Sequence, residues 1–395
     1  MDLTGISTRI AAAVLCGAAL AGAPATATAT PDRDRGAVLS VTPVVTMDAS
    51  QVTDYLTKYG LDPASVRYGV DARRVVYRTI DPRGRATTAS ALVVLPRSRD
   101  RTPRQVTWLH GTTAYRGSVA SVSDGGDRAA ALLFASAGYL TSAPDYLGLG
   151  VGPGTHPYVH VPSTVTASLD ALRATRQLAG RAGLRPDPRV SVTGHSQGGH
   201  AAMALGKALQ DGADHRLRLG GLAPIAGPHQ PSAAVADALS GKIENGVAYL
   251  AYWTVAWDRL FNLYDSPADA FKDPTVESLF DGEHRNEDIF PLLPATVPEL
   301  FRPEFLDKLE HPTGALRSAL KEADSFCDWR PRVPVRLYAS SGDRDVPFAL
   351  SVYCQRRLAA HHTPAVTLVD LGADVDHGEA ADLALPRILA EFDRS

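Results

Sequence analysis

The chain has 395 residues, 45% of them hydrophobic and 21% charged, with a net charge of −3. That length fits two domains, or one large α/β domain with an insertion, and the apolar content excludes a wholly disordered chain. The 34 Arg and 6 Lys form no long basic run, so neither nucleic acid nor an anionic membrane is an expected partner, and no apolar stretch in the body of the chain is long enough for an integral membrane protein.

Residues 1–30 read as a secretory signal peptide. Arg9 precedes an apolar run from Ile10 to Leu20, and small residues with A-x-A-like cleavage options follow at Ala21 to Ala27. The run is too short to span a bilayer. Leu15 before Cys16 is not the small residue a lipid-anchor signal wants. The expected location is therefore extracellular. Removing Cys16 with the signal leaves Cys327 and Cys354. In an oxidising compartment two cysteines predict one disulfide, the alternative being two separate buried thiols.

Residues 31 to 46 read as an irregular lead-in. Arg73 to Ile80 and Ala86 to Leu95 read as strands joined by a turn at Asp81-Pro82-Arg83-Gly84. A short buried strand, Gln105 to His110, ends at a glycine. Asp127 to Ala137 has helical character, and Tyr139 to Ala143 is a strand. Thr164 to Gly180 is an amphipathic helix with Val165, Leu169, Leu172 and Leu178 near one face. Arg189 to Thr193 reads as a strand, followed by a glycine-rich turn and a helix from Gly198 to Gln210. Leu217 to Ala226 is the next strand. From Pro228 to Pro331 the signals are helical, with prolines and many aromatics, among them Trp253, Trp257, Phe271, Phe301 and Phe305. Alternation then resumes: strand Val333 to Ser340, helix Ala349 to Ala360, strand Ala365 to Leu371, helix Glu379 to Phe392. Strand–helix alternation predicts a mostly parallel sheet covered on both faces. The expected division is a core of residues 31–227 and 332–395, with a helical cap at 228–331.

The chemical signal lies at Gly194-His195-Ser196-Gln197-Gly198-Gly199, a G-x-S-x-G pattern between a strand and a helix. Such a turn holds the serine backbone under strain, with room only for glycines two residues to either side, and presents the hydroxyl at the top of the sheet. A serine hydroxyl needs a base, and the base needs an acid to orient it, in the chain order Ser, acid, His. The loop after the strand at 333–340 offers Asp343, favoured by strand register, and Asp345. A helix cap or Asx turn is the bland role for whichever is not used. His377, in the loop after the last strand, is the candidate base. His195 is expected to point elsewhere, His361 and His362 to be solvated at a helix end, and His110 to support the loop that follows it. The oxyanion of a tetrahedral intermediate needs preorganised donors. The backbone N–H of Gln197 is one candidate and that of Thr112 the other, with Thr113 as an alternative. Asp145, in Pro144-Asp145-Tyr146, is expected to brace loops rather than react. Neither H-E-x-x-H nor paired C-x-x-C occurs, so no metal is expected.

These pieces, His-Gly-Thr at 110–112, Gly-His-Ser-Gln-Gly at 194–198, the loop carrying Asp343, and His377, resemble the α/β-hydrolase family over the whole mature chain. Pro144-Asp145-Tyr146-Leu-Gly-Leu-Gly and Gly-His-Ser-Gln-Gly-Gly-His are similar to secreted bacterial lipases and esterases with a helical cap. The resemblance implies an eight-stranded, mostly parallel sheet, a Ser–His–Asp triad of Ser196, His377 and Asp343, and no cofactor. The expected function is that of a secreted serine hydrolase cleaving small-molecule or lipid carboxylic esters through an acyl-enzyme. A peptidase or amidase on small peptides is the alternative within enzymes. An inactive binding module on the same fold is the alternative outside them.

Overall fold

The computed structural model describes residues 34–361 and 365–394. The signal segment, Cys16 and His362 lie outside the described residues. One sheet of nine strands organises the chain, in the order β1-β2-β3-β5-β4-β6-β7-β8-β9. Strands β1 (Val38–Met47), β2 (Val70–Ile80) and β3 (Ala86–Pro96) form an antiparallel ribbon, and β3 pairs antiparallel with β5 (Leu140–Pro144). From β5 onward the neighbours are parallel: β4 (Gln105–Leu109), β6 (Arg189–His195), β7 (Arg218–Ile225), β8 (Val335–Ala339) and β9 (Val366–Asp370). Every residue of β4 and β5 is buried, as expected of parallel strands covered on both faces.

The sheet has one strand more than expected. The segment read as an irregular lead-in contains β1. Its alternation is masked by Pro43 and by register shifts at Val38/Ser40 and Pro43/Val45. An edge strand tolerates a proline, because one side of its hydrogen-bonding ladder is unpaired. A helix that the reading passed over, α1 (Ala49–Lys58), follows directly. Asp48 and Gln51 form its capping box, and Val52 and Leu56 are its buried face.

Helices cover both faces of the sheet. On one side α1, α2 (Gly126–Ser136) and the helix His377–Arg394 pack Leu56, Phe134, Ile388 and Phe392 into a common core. On the other, α3 (Val161–Arg181), α4 (Gln197–Gln210) and the helix Phe348–Ala359 bury Leu172, Met203, Leu205 and Leu358. Between β7 and β8 the described residues form helices and short turns, beginning with α5 (Pro231–Leu239) and α6 (Gly246–Phe261). This segment has its own aromatic core, in which Trp257, Phe271, Phe280, Phe301 and Phe305 are buried together. Cys327 and Cys354 are joined by a disulfide across 27 residues. By loop-closure entropy alone, a link of that span stabilises the fold by about 3–4 kcal/mol.

No helix among the described residues is long and apolar enough to cross a membrane.

Candidate active site

The segments that follow the C-terminal ends of β4, β6, β8 and β9 carry Thr112, Ser196, Asp343 and His377, the last at the start of the final helix. In open parallel sheets this is the edge where ligand sites form. Ser196 sits between β6 and α4 with φ +57° and ψ −120°. A side chain rarely adopts that backbone, and it costs about 1–3 kcal/mol. The surroundings enforce it. A Cβ on Gly198 would lie 1.9 Å from the carbonyl oxygen of Leu109, and one on Gly194 would lie 2.5 Å from the same atom. The Ser196 N–H donates to the carbonyl of Ile225 at 2.9 Å, and its own carbonyl accepts from Gly199. The serine thus tops the sheet at the start of α4.

His377 and Asp343 meet directly. His377 Nδ1 donates to Asp343 Oδ2 at 2.6 Å, and the Asp343 side chain is almost wholly buried. The other carboxylate oxygen, Oδ1, accepts the backbone N–H groups of Asp345 and Val346, each at 2.8 Å. Asp345 lies elsewhere: its Oδ1 accepts from the backbone N–H and the side-chain amide of Asn245, the residue before α6. His377 is not a loop residue as expected but the first residue of the final helix, which begins two positions before Glu379. Asp376 and Glu379 cap that start reciprocally, each accepting the other's backbone N–H.

The His377 ring is placed by His195, the residue before Ser196. The two rings lie 4.5 Å apart, and His195 Nε2 donates to the His377 carbonyl at 2.8 Å. His195 therefore points toward the candidate base, not away from the site. Among the described residues the Ser196 hydroxyl has no hydrogen bond.

Gln197 is the first residue of α4. The first N–H groups of a helix have no partner within it, so the Gln197 N–H is left free by the helix itself. Its side chain is held from behind: Gln197 Nε2 donates to His156 Nε2 at 2.9 Å, while His156 Nδ1 donates to the Leu147 carbonyl. Across the pocket the Thr112 hydroxyl is hydrogen-bonded to the Tyr158 hydroxyl at 2.9 Å, and the Thr112 carbonyl accepts from Asn286. Tyr158 stacks on Tyr252 at 4.3 Å, and Tyr252 on Phe280 at 4.9 Å. A column of rings thus ties the Thr112 loop to the helical segment above. The Thr113 hydroxyl donates to the Tyr115 carbonyl.

Asp145 is fully buried and accepts from the hydroxyls of Ser90 and Ser121. Burial pushes its carboxyl above the usual range. The His110 ring lies between two carbonyls, with Nδ1 2.7 Å from that of Gly111 and Nε2 3.3 Å from that of Asp145, and it packs tilted against Tyr146 at 4.1 Å. Both residues brace loops below the site. His361 is exposed and pairs with Asp328.

A cavity of about 80 Å³ opens onto Ser196, with Thr112, Gln197, Tyr158, Asp345 and Val346 around its mouth. Of the aromatics counted in the helical segment, Trp253 lines this cavity, whereas Trp257, Phe271, Phe301 and Phe305 belong to the segment's own core. His156, Gln197's support, and Tyr158, Thr112's partner, escaped the sequence reading, since both lie in a loop that matches no motif.

Below the elbow, His200 and His229 are buried with both ring nitrogens of each unpartnered. His229 lies within metal-ligand range of Cys327 and Cys354, but those two sulfurs are bonded to each other. Burial pushes His156 and His229 down to about 3 and His200 to about 4. An unfolded histidine takes its proton near pH 6.5, so below that pH the unfolded chain binds more protons and the fold weakens until the folded values are reached. At pH 5 each of these three destabilises the fold by about 2 kcal/mol relative to pH 7.5. The urea midpoint is expected to fall sharply between those pH values; equal midpoints would contradict the neutral burial of these rings.

Comparison with known proteins agrees with this architecture. The Secretory lipase family matches residues 125–257. A ligand-bound form of the rice cell wall degrading esterase LipA from Xanthomonas oryzae superposes with a TM-score of 0.80 at 28% identity, covering 91% of this chain and 98% of that one. A Legionella pneumophila protein superposes with a TM-score of 0.81 at 24% identity, over 90% of this chain and 97% of the other. Candida antarctica lipase A in its closed state shares the fold with a TM-score of 0.66 at 15% identity, over 92% and 85% of the two chains. Comparison with curated protein sequences finds no match.

Proposed function

Since this chain is an α/β-hydrolase of the lipase and esterase kind, a carboxylic ester hydrolase, we propose that it works as an exported serine enzyme with Ser196 as nucleophile, His377 as general base and Asp343 as the orienting acid. The observation that carries this reading is the 2.6 Å bond from His377 Nδ1 to Asp343 Oδ2. With Nδ1 donating, the lone pair of the ring sits on Nε2, the atom available to take a proton from Ser196. As that proton leaves, Oγ adds to the ester carbonyl carbon. The carbonyl oxygen becomes an oxyanion, accepted by the N–H groups of Gln197 and Thr112. Collapse expels the alcohol, which takes the proton back from His377, and leaves the acyl group on Ser196. Water, deprotonated by the same Nε2, then releases the acid. On this reading a Ser196–His377 hydrogen bond forms when substrate fills the pocket.

The residues between β7 and β8 act as a cap over the site, continuous with the expected cap at 228–331. Export rests on the N-terminal segment at residues 1–30 and fits the disulfide.

A fluorophosphonate probe tests the nucleophile. The expected result is one adduct per chain on the peptide containing Ser196, absent in Ser196→Ala. Folded protein that does not label would favour an inactive binding module. Matched p-nitrophenyl esters and amino-acid anilides separate the remaining alternative: faster turnover of the anilides would identify a peptidase or amidase.

A further inference from the structure

The space beside Ser196 limits what the acyl group can be. It measures about 80 Å³. An apolar cavity of about 150 Å³ accepts a benzene ring, so this one has room for roughly three carbons. Its inner wall is apolar: Ala234, Val235 and Ala238 from α5, Ile243 from the turn that follows, and Leu250 and Trp253 from α6. No Lys, Arg or His lines it, and its one carboxylate, Asp345, is occupied by Asn245. A charged acyl tail therefore finds no counter-ion there, and burying it unpaired is unfavourable.

The wall is also fixed. Trp253 is buried, with its ring 4.6 Å from that of Trp257. Trp257 is anchored in turn, its Nε1 donating to the Tyr158 carbonyl. Ala234 and Ala238 stand one turn apart on α5, so the room exists because these two side chains are single methyl groups. A packed wall of this kind does not widen without cost.

Resting on the ester-hydrolase reading above, we propose that this cavity is the acyl site and that it selects uncharged, short acyl chains, with Trp253 and Ala238 setting the limit. Each methylene that enters the apolar space raises kcat/KM about fourfold until the space is full. Beyond that point, added carbons must displace packed side chains.

The test is a series of p-nitrophenyl esters from acetate to palmitate, in one detergent, with the full chain. The expected kcat/KM climbs from acetate to a maximum at butyrate or hexanoate, with palmitate at least about tenfold lower. Trp253→Ala is expected to move the maximum two or more carbons longer, and Ala238→Phe to move it to acetate. A wild-type profile that keeps rising through dodecanoate and palmitate overturns the proposal, whatever the variants do. So does a short-chain maximum that neither variant moves, provided both are folded by circular dichroism. If either is unfolded, Ala234→Leu takes its place and is expected to shorten the preferred chain. A wild-type enzyme that turns over no ester at all overturns the ester-hydrolase reading instead. Activity with a long-chain maximum leaves that reading standing and removes this inference alone.

Discussion

Replacing Ser196 with alanine is expected to lower kcat on a short-chain p-nitrophenyl ester by about 10⁴-fold or more. The loss follows from the chemistry: without the hydroxyl there is no acyl-enzyme, and what remains is binding and oxyanion stabilisation acting on water. The stability readout makes this variant more than a routine knockout. Ser196 holds φ +57° and ψ −120° because the Gly198 and Gly194 contacts with Leu109 leave no alternative path for the chain. Alanine meets the same backbone penalty as serine, so Ser196→Ala should unfold at nearly the wild-type urea concentration. Glycine is free of it. Ser196→Gly should be just as inactive yet more stable by about 1 kcal/mol. Wild-type turnover in either variant would remove Ser196 from the mechanism. A destabilised glycine variant would mean that the strain is not borne at this residue.

The second large effect separates two carboxylates two residues apart. Asp343→Asn is expected to lower kcat by about 10⁴-fold, because an amide in place of Oδ2 can donate to Nδ1 and so favours the wrong tautomer of His377. Asp345→Asn should lower kcat less than about tenfold. Its carboxylate accepts from Asn245 at the start of α6, so its removal loosens the join between the acid loop and the helices above rather than the imidazole. The pair should also differ in kind. Loss of Asp343 acts on kcat at unchanged KM, whereas loss of Asp345 acts mainly on KM, since Asp345 lines the cavity mouth. If Asp345→Asn alone abolishes turnover, the roles are reversed and the 2.6 Å bond between His377 and Asp343 is structural.

Much of the architecture is legible in the sequence, because parallel strands buried on both faces are short continuous apolar runs and the helices between them carry a 3.6-residue period. The serine turn is legible for a different reason: its glycines are sterically required, so the requirement is written into the chain at fixed spacing. β1 is hidden because Pro43 and two register shifts break the period that would reveal it. The choice between Asp343 and Asp345 favours Asp343 by strand register, but the Asp345 side chain is directed by Asn245, a hundred positions away, and that of Asp343 by His377. The contacts of His195 with His377, of His156 with Gln197 and of Tyr158 with Thr112 join residues 182, 41 and 46 positions apart. No local spacing encodes such pairs. Composition shows that the helical segment carries aromatics, yet it cannot tell the rings that line the cavity, Tyr249 and Trp253, from those that fill the segment itself.

The helix that starts at His377 is sewn into the molecule by Ala380, Ala384, Leu385, Ile388, Leu389 and Phe392, all buried against α1, α2 and the sheet. On the proposed mechanism, the proton acceptor reaches working position only once this stretch has docked, after the residues around the serine have been synthesised. A nascent or partly refolded molecule is chemically silent even with its elbow formed. On that mechanism, the appearance of turnover serves as a clock for completion of the fold.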